Sequence, residues 1–386
     1  MARRARNWNQ SSSAAPRAGA ETGLYCVPHL HSSGGSSLES WSRVGVRRLA
    51  RRHARRSGSG NLRPCATCLS SRQLVAGLPG SRTRRRCAQA RRSPASRPPT
   101  KEPPVRMDHL TVRSWQERDG HEGVRDAWLA SREALVGRDW SQVAGTCGLC
   151  GSSRGFVLTE SMDPRQPDIR EGLLCRECRH NSRIRSSLRL LLDQLESLDH
   201  PPAVYLTEQV TGTFIWLQRH LRGTLLGSEF EPSFLKRMAL TRRFHQAGGK
   251  GTVEYQDVTK LNFADASLDA IASFEVFEHV PDYRTAVSEF ARVLKPGGTC
   301  VATFPFTDGP DTITRALVDE EGEVRHLLEP EYHGDPISGG VLCFYHFGWD
   351  VLDVFRSAGF SDVRMVMPCG LEHGLFYGLW TLVATR

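Results

Sequence analysis

The sequence predicts an open α/β sheet with mostly parallel strands, a small metal-binding module ahead of it, and an unfolded basic arm ahead of both. Three observations predict this. Residues 253–306 read as strand, helix, turn and strand, the βαβ unit with its right-handed crossover. Four successive apolar runs each end in a carboxylate. Two C-x-x-C pairs stand 24 residues apart, at Cys147/Cys150 and Cys175/Cys178.

The basic arm comes first. Residues 1–100 hold twenty arginines, no lysine and two acids, a net charge of +18, against −9 for the remainder. The arm is rich in Ser, Gly and Pro and lacks apolar periodicity, so it buries too little surface to fold. Three readings compete for it: an arm for nucleic acid or another anionic surface, an organelle transit segment, or coding sequence read from a start placed too early. Ordinary composition resumes at Met107, which favours the third. Cys65 and Cys68 have no second pair to complete a site. No run approaches the ~20 apolar residues of a membrane span, and no apolar leader follows the N-terminus, so the expectation is a soluble, cytoplasmic chain.

Residues 115–140 read as polar helix. The two C-x-x-C pairs then fit a zinc ribbon, each pair a tight knuckle aiming two thiolates at one tetrahedral ion. Four protein ligands leave no open position, so the zinc is structural. The plainer alternative is four buried cysteines in a reducing compartment. Residues 187–198 form an amphipathic helix coupling this module to the next domain. Arg176, Arg179, Arg183, Arg185 and Arg189 cluster here, either to grip phosphate or to pair with neighbouring acids.

The first strand covers 203–207 and ends in Glu208. The second lies in 221–228 before Glu229, and the third in 252–256 before Asp257. The fourth, 268–274, is a continuous apolar run before Glu275, as suits a strand buried on both faces. Pro281 and Asp282 open a helix with Tyr283, Val287, Phe290 and Leu294 on one face. Lys295-Pro296-Gly297-Gly298 stops it, and residues 299–304 are the next strand. An acidic insert of about forty residues follows, longer than ordinary connections and suited to a lid or substrate wall. A helix over 348–360 and strands over 363–367 and 380–384 close the chain.

Within this half, DVTKLNFADASLDAI (257–271), FEHV (277–280) and RVLKPGG (292–298) resemble the class I S-adenosylmethionine-dependent methyltransferases of the ubiquinone-biosynthesis-like branch. The resemblance covers residues 203–386. It implies a seven-stranded Rossmann-like sheet with a reversed last strand, S-adenosylmethionine as cofactor, and methyl transfer to an acceptor that is a small molecule, saccharide or lipid precursor. Open α/β sheets bind ligands at the C-terminal strand edge, where the four acids lie. Carboxylates there accept bonds from ribose hydroxyls and amines and tolerate a sulfonium. By resemblance, Glu229 holds the ribose, Asp257 the adenine amino group, Glu208 opens the first loop, and Glu275 lines the methyl-transfer cavity. The chain departs from the family at that loop. Of three glycines only Gly212 remains, with Val210 and Phe214 replacing the others.

His279 is read as a packing or capping residue. His333, His346 and Tyr332 in the insert are the candidate bases. Two rival readings stand beside small-molecule methyl transfer: an RNA methyltransferase using its zinc module on RNA, and a non-catalytic binding protein with a degenerate cofactor loop.

Overall fold

The computed structural model describes residues 107–386 except 137, 141, 160–162, 164–166 and 335–339. The basic arm, Cys65 and Cys68 lie outside the described residues.

The chain enters the described region as strand β1 (Asp108–Val112), followed by α1 (Trp115–Gly120) and α2 (Glu122–Leu135). The predicted helical stretch is therefore two helices, broken at the extended His121. A hairpin of β2 (Phe156–Leu158) and β3 (Leu173–Cys175) carries the single-turn helix α3 (Ile169–Gly172) in its loop. Asp168 caps that turn, accepting from the backbone N–H groups of Arg170 and Glu171 at 3.0 and 3.1 Å.

Helix α4 (Ser182–Leu195) starts five residues earlier than predicted because Asn181 caps it, accepting from Ile184 N at 2.8 Å. It is not half-exposed. Most of it is buried, and the hydroxyls of Ser186 and Ser187 bond back to Arg183 O at 2.9 and 2.7 Å.

Then come β4 (Ala203–Leu206), α5 (Gly212–His220), β5 (Thr224–Gly227), α6 (Phe234–Gln246), β6 (Leu268–Phe274), α7 (Tyr283–Val293) and β7 (Leu294–Thr303). Every residue of β6 is buried, as its unbroken apolar run requires. Asp282 caps α7, and Tyr283, Val287 and Phe290 face inward as their spacing dictates. Gly298 is required by close approach: a Cβ there would lie 2.9 Å from Lys295 O and 3.1 Å from Asp269 O.

The insert forms three short antiparallel pairs from β8 (Ile313–Thr314), β9 (Ala316–Val318), β10 (Val324–His326), β11 (Tyr332–His333), β12 (Val341–Leu342) and β13 (Tyr345–His346). Helix α8 (Val351–Ser357), β14 (Asp362–Cys369) and β15 (Thr381–Thr385) complete the fold.

The central sheet has seven strands in the order β1-β14-β15-β7-β6-β4-β5. Strands β5, β4, β6 and β7 are parallel, and β15 runs antiparallel to β7. This is the expected Rossmann-like sheet of seven strands with its reversed strand in place.

Its membership differs from expectation. Residues 252–256 do not form a strand and make a single bridge, Tyr255 with Glu229. The Gln209 side chain takes the place of a neighbouring strand, donating to Thr252 O at 2.6 Å and accepting from Glu254 N at 2.9 Å. The seventh strand is instead β1, which pairs with β14 from Asp108–Cys369 to Val112–Met365.

A chain shortened to residues 107–386 should fold and bind ligand like the full chain, since it keeps β1 whole. Removing residues 107–112 as well should lower the melting temperature sharply. Aggregation of the 107–386 chain would assign the arm to the fold.

Candidate functional site

Three of the four strand-end acids converge. Glu229 is buried and its Oε1 accepts from Gln209 N at 2.8 Å and Val210 N at 2.6 Å, so it ties β5 to the loop after β4. Glu208 is half-buried. Burial pushes its carboxyl up to about 8, with Glu229 and Glu275 adding to the rise and Arg183 opposing it. Asp257 closes a turn, accepting from Thr259 N at 2.9 Å and Thr259 Oγ1 at 2.7 Å.

The loop after β4 resolves the departure from three glycines. Thr211 caps α5 by accepting from Phe214 N at 3.2 Å. Phe214 does not narrow the cleft: it is 2% exposed and packs on Phe244 and beneath Gly227. Gly212 is different, because a Cβ there would meet nothing within 4 Å. Internal packing does not demand that glycine. A cavity of about 500 Å³ opens between the second knuckle and α5 and is lined by His180, Gly212 and Trp216 among others. None of the four acids lines it.

Glu275 has an unexpected partner. Arg170 of α3 donates to it twice, at 2.6 and 3.4 Å, and Arg183 of α4 lies 3.7 Å away. Glu171 holds both arginines, receiving Arg170 at 2.5 Å and Arg183 at 2.6 Å. Burial alone would raise the Glu275 carboxyl, but the two guanidinium groups hold it below the usual carboxylate range. Glu275 also sits at φ 56°, a left-handed conformation uncommon for a side chain of its size and typical of constrained sites.

The arginine cluster is largely consumed by the protein. Arg185 is buried and donates to His373 O at 2.6 Å, Gly374 O at 3.1 Å and Ser182 Oγ at 3.0 Å. Arg189 pairs with Asp193 and Glu196, and Arg183 serves Glu171. Arg179 remains exposed, at φ 63°. It occupies in the second knuckle the left-handed position that Gly151, φ 73°, occupies in the first.

The four knuckle sulfurs face one another. Cys147 Sγ lies 3.9 Å from Cys178 Sγ and Cys150 Sγ 3.8 Å from Cys175 Sγ, with all four within 4.8 Å. Tetrahedral zinc with Zn–S bonds of about 2.3 Å places its sulfurs about 3.8 Å apart. The spacing suits the ion.

Of the insert's candidate bases, His333 and His346 are engaged. His333 Nε2 lies 2.9 Å from Glu331 Oε1 and its Nδ1 faces Glu278, while His346 Nε2 lies 3.1 Å from the same Glu331 oxygen. Tyr332 is 63% exposed. His279 ends a 3₁₀ turn after β6 and bonds Leu342 O through Nδ1 at 2.8 Å, so it packs against the insert. Sequence reasoning missed Arg170 and Glu278. Arg170 carries no local pattern, and although Glu278 lies in the FEHV motif, only the packing of the β2–β3 hairpin and the insert onto the sheet edge reveals what the two residues meet.

Residues 211–302 match the family described as a methyltransferase domain. The ubiquinone/menaquinone biosynthesis C-methyltransferase UbiE of Desulfotalea psychrophila is 28% identical over 40% of this chain and 64% of its own length. A probable S-adenosylmethionine-dependent methyltransferase of Mycolicibacterium smegmatis is 30% identical over 29% of this chain and 41% of its own. The chain thus spans less than two thirds of either relative. A solved S-adenosylmethionine-dependent methyltransferase from Mesorhizobium loti is similar at 18% identity and a TM-score of 0.33, over 52% of this chain and 98% of that one. Among the described residues no helix is long and apolar enough to cross a membrane.

Proposed function

We propose that this chain is a class I S-adenosylmethionine-dependent methyltransferase that transfers a methyl group to a small polar acceptor. The observation that carries the reading is the convergence of Glu208, Glu229 and Glu275 at the C-terminal edge of parallel strands, inside the segment that matches the methyltransferase family. The donor set suits the cofactor. Glu229 would take the ribose hydroxyls, Asp257 the adenine amino group and Glu208 the ammonium, while the open space at Gly212 admits the ligand to the backbone. Bound S-adenosylmethionine supplies the methyl group. The protein's part is to orient the acceptor and exclude water.

Glu275 and Arg170 flank the acceptor side, so an acceptor with an anionic or hydrogen-bonding group fits better than an apolar one. Arg183, Arg185 and Arg189 are engaged internally, which favours a small acceptor over RNA. Where the nucleophile needs a base, Tyr332 or, on release from Glu331, His346 would provide one. Cys147, Cys150, Cys175 and Cys178 hold one structural zinc.

Titration calorimetry with S-adenosylmethionine and S-adenosylhomocysteine tests the reading. Binding an ammonium needs the ionised form of Glu208, whose folded value is about 8. Affinity should therefore rise with pH, by up to about tenfold per unit below that value, and level off above it. Comparison with Glu208→Gln, which lacks the titrating group, removes the ligand's own titration. A folded chain that binds neither compound would leave the non-catalytic reading in its place.

A further inference from the structure

We propose that Glu278, His279 and His333 form a second metal centre, distinct from the four thiols and taking one zinc ion. Their ligand atoms already stand at near-coordinating separations. Glu278 Oε1 is 3.7 Å from His279 Nε2 and 3.6 Å from His333 Nδ1, and all three atoms lie within 4.8 Å of one another. Zinc bonds of about 2.0–2.2 Å to imidazole and carboxylate place tetrahedral neighbours about 3.3–3.6 Å apart. The two gaps to Glu278 are within a few tenths of an ångström of that separation, and the two imidazoles need to draw together to close the site.

The outer contacts assign the free electron pairs. His279 Nδ1 lies 2.8 Å from the Leu342 carbonyl, which can only accept, so Nδ1 carries the proton and Nε2 presents a lone pair toward Glu278. His333 Nε2 lies 2.9 Å from Glu331 Oε1, so its proton sits there and Nδ1 is left for the ion. A histidine whose second nitrogen donates to a carbonyl or carboxylate is the usual supporting arrangement for metal ligands. Glu331 is fixed in turn by Arg315 at 3.1 Å and His346 at 3.1 Å.

The independent observation is Glu278 itself. It is wholly buried, and neither carboxylate oxygen has a hydrogen-bond partner. A buried carboxylate left in that condition is costly. The 3.6 Å gap to His333 is too long for a hydrogen bond that would satisfy it. A cation between Glu278 and the two imidazoles removes the deficit.

Two imidazoles and one carboxylate match zinc and leave its fourth position open. Cys343 approaches Glu331 and His333 in a separate cluster. The place of the site also gives it a structural role. Phe344 N donates to Glu278 O at 2.7 Å and the Tyr345 hydroxyl to Pro281 O at 2.6 Å, so the ion would pin the insert to the end of β6.

Metal counting on the full chain decides the matter. After equilibration with zinc and passage through a mild chelating resin, elemental mass spectrometry should find two zinc ions per wild-type chain. Glu278→Gln and His333→Gln should each retain one. With cobalt(II), both variants should keep the intense thiolate charge-transfer band and lose only weak ligand-field bands. One ion per wild-type chain, or two in both variants, would overturn the proposal. Should Glu278→Gln fail to fold, His333→Gln, altered only in the partly exposed insert, gives the answer.

Discussion

Cys175→Ser should cost the chain its zinc and with it the fold of the whole described region. Zinc binding in small Cys-rich modules contributes about 10–16 kcal/mol of apparent folding free energy. That is comparable to the total stability of a domain, about 5–15 kcal/mol. The module is not an appendage whose loss the sheet could survive. Arg185 joins α4 to the carbonyls of His373 and Gly374, between β14 and β15. Thr146, beside the first knuckle, donates its N–H to Glu372 O at 2.8 Å and accepts from His373 Nδ1 at 2.9 Å. Arg170 reaches from the same hairpin to Glu275. Thermal unfolding and native mass spectrometry read the result together. A Cys175→Ser chain without metal but with an unchanged melting temperature would end the zinc assignment.

Glu229→Ala should weaken cofactor binding at least tenfold. Each hydrogen bond from a ribose hydroxyl to a carboxylate is worth about 1.5–3 kcal/mol, so one alone accounts for that factor. The same substitution leaves Gln209 N and Val210 N without their acceptor, so part of the loss comes from a loosened loop. Glu229→Gln separates the two effects. Its amide oxygen still accepts from the loop, while the charge facing the ribose is gone. The expected order of affinity is wild type, then Gln, then Ala, with Asp257→Ala lowering affinity through the adenine end alone. Unchanged binding in folded Glu229→Ala and Asp257→Ala chains would make both acids ordinary strand-end residues.

What was legible in the sequence is what local chemistry encodes. The unbroken apolar run of β6, the one-sided face of α7 and the Asp282 cap appear in the structure as read. The carboxylates after the strands and the paired cysteines were legible for a similar reason: a strand end and a C-x-x-C knuckle are short-range patterns. Tertiary structure alone decided the rest. Residues 252–256 have strand-like composition, yet the Gln209 carboxamide, more than forty residues earlier, takes the hydrogen bonds a neighbouring strand would have made. Strand β1 looks like part of a polar lead-in until β14, over 250 residues later, offers it an open edge. The Phe214 ring points into the core because Gly227 leaves it room. Arg170 meets Glu275, and Glu278 meets His333, only because the β2–β3 hairpin and the insert fold onto the same sheet edge. Periodicity and capping depend on neighbours a few residues away. The choice of partner for an edge, a buried charge or a ligand atom depends on which distant segment reaches it in the folded chain.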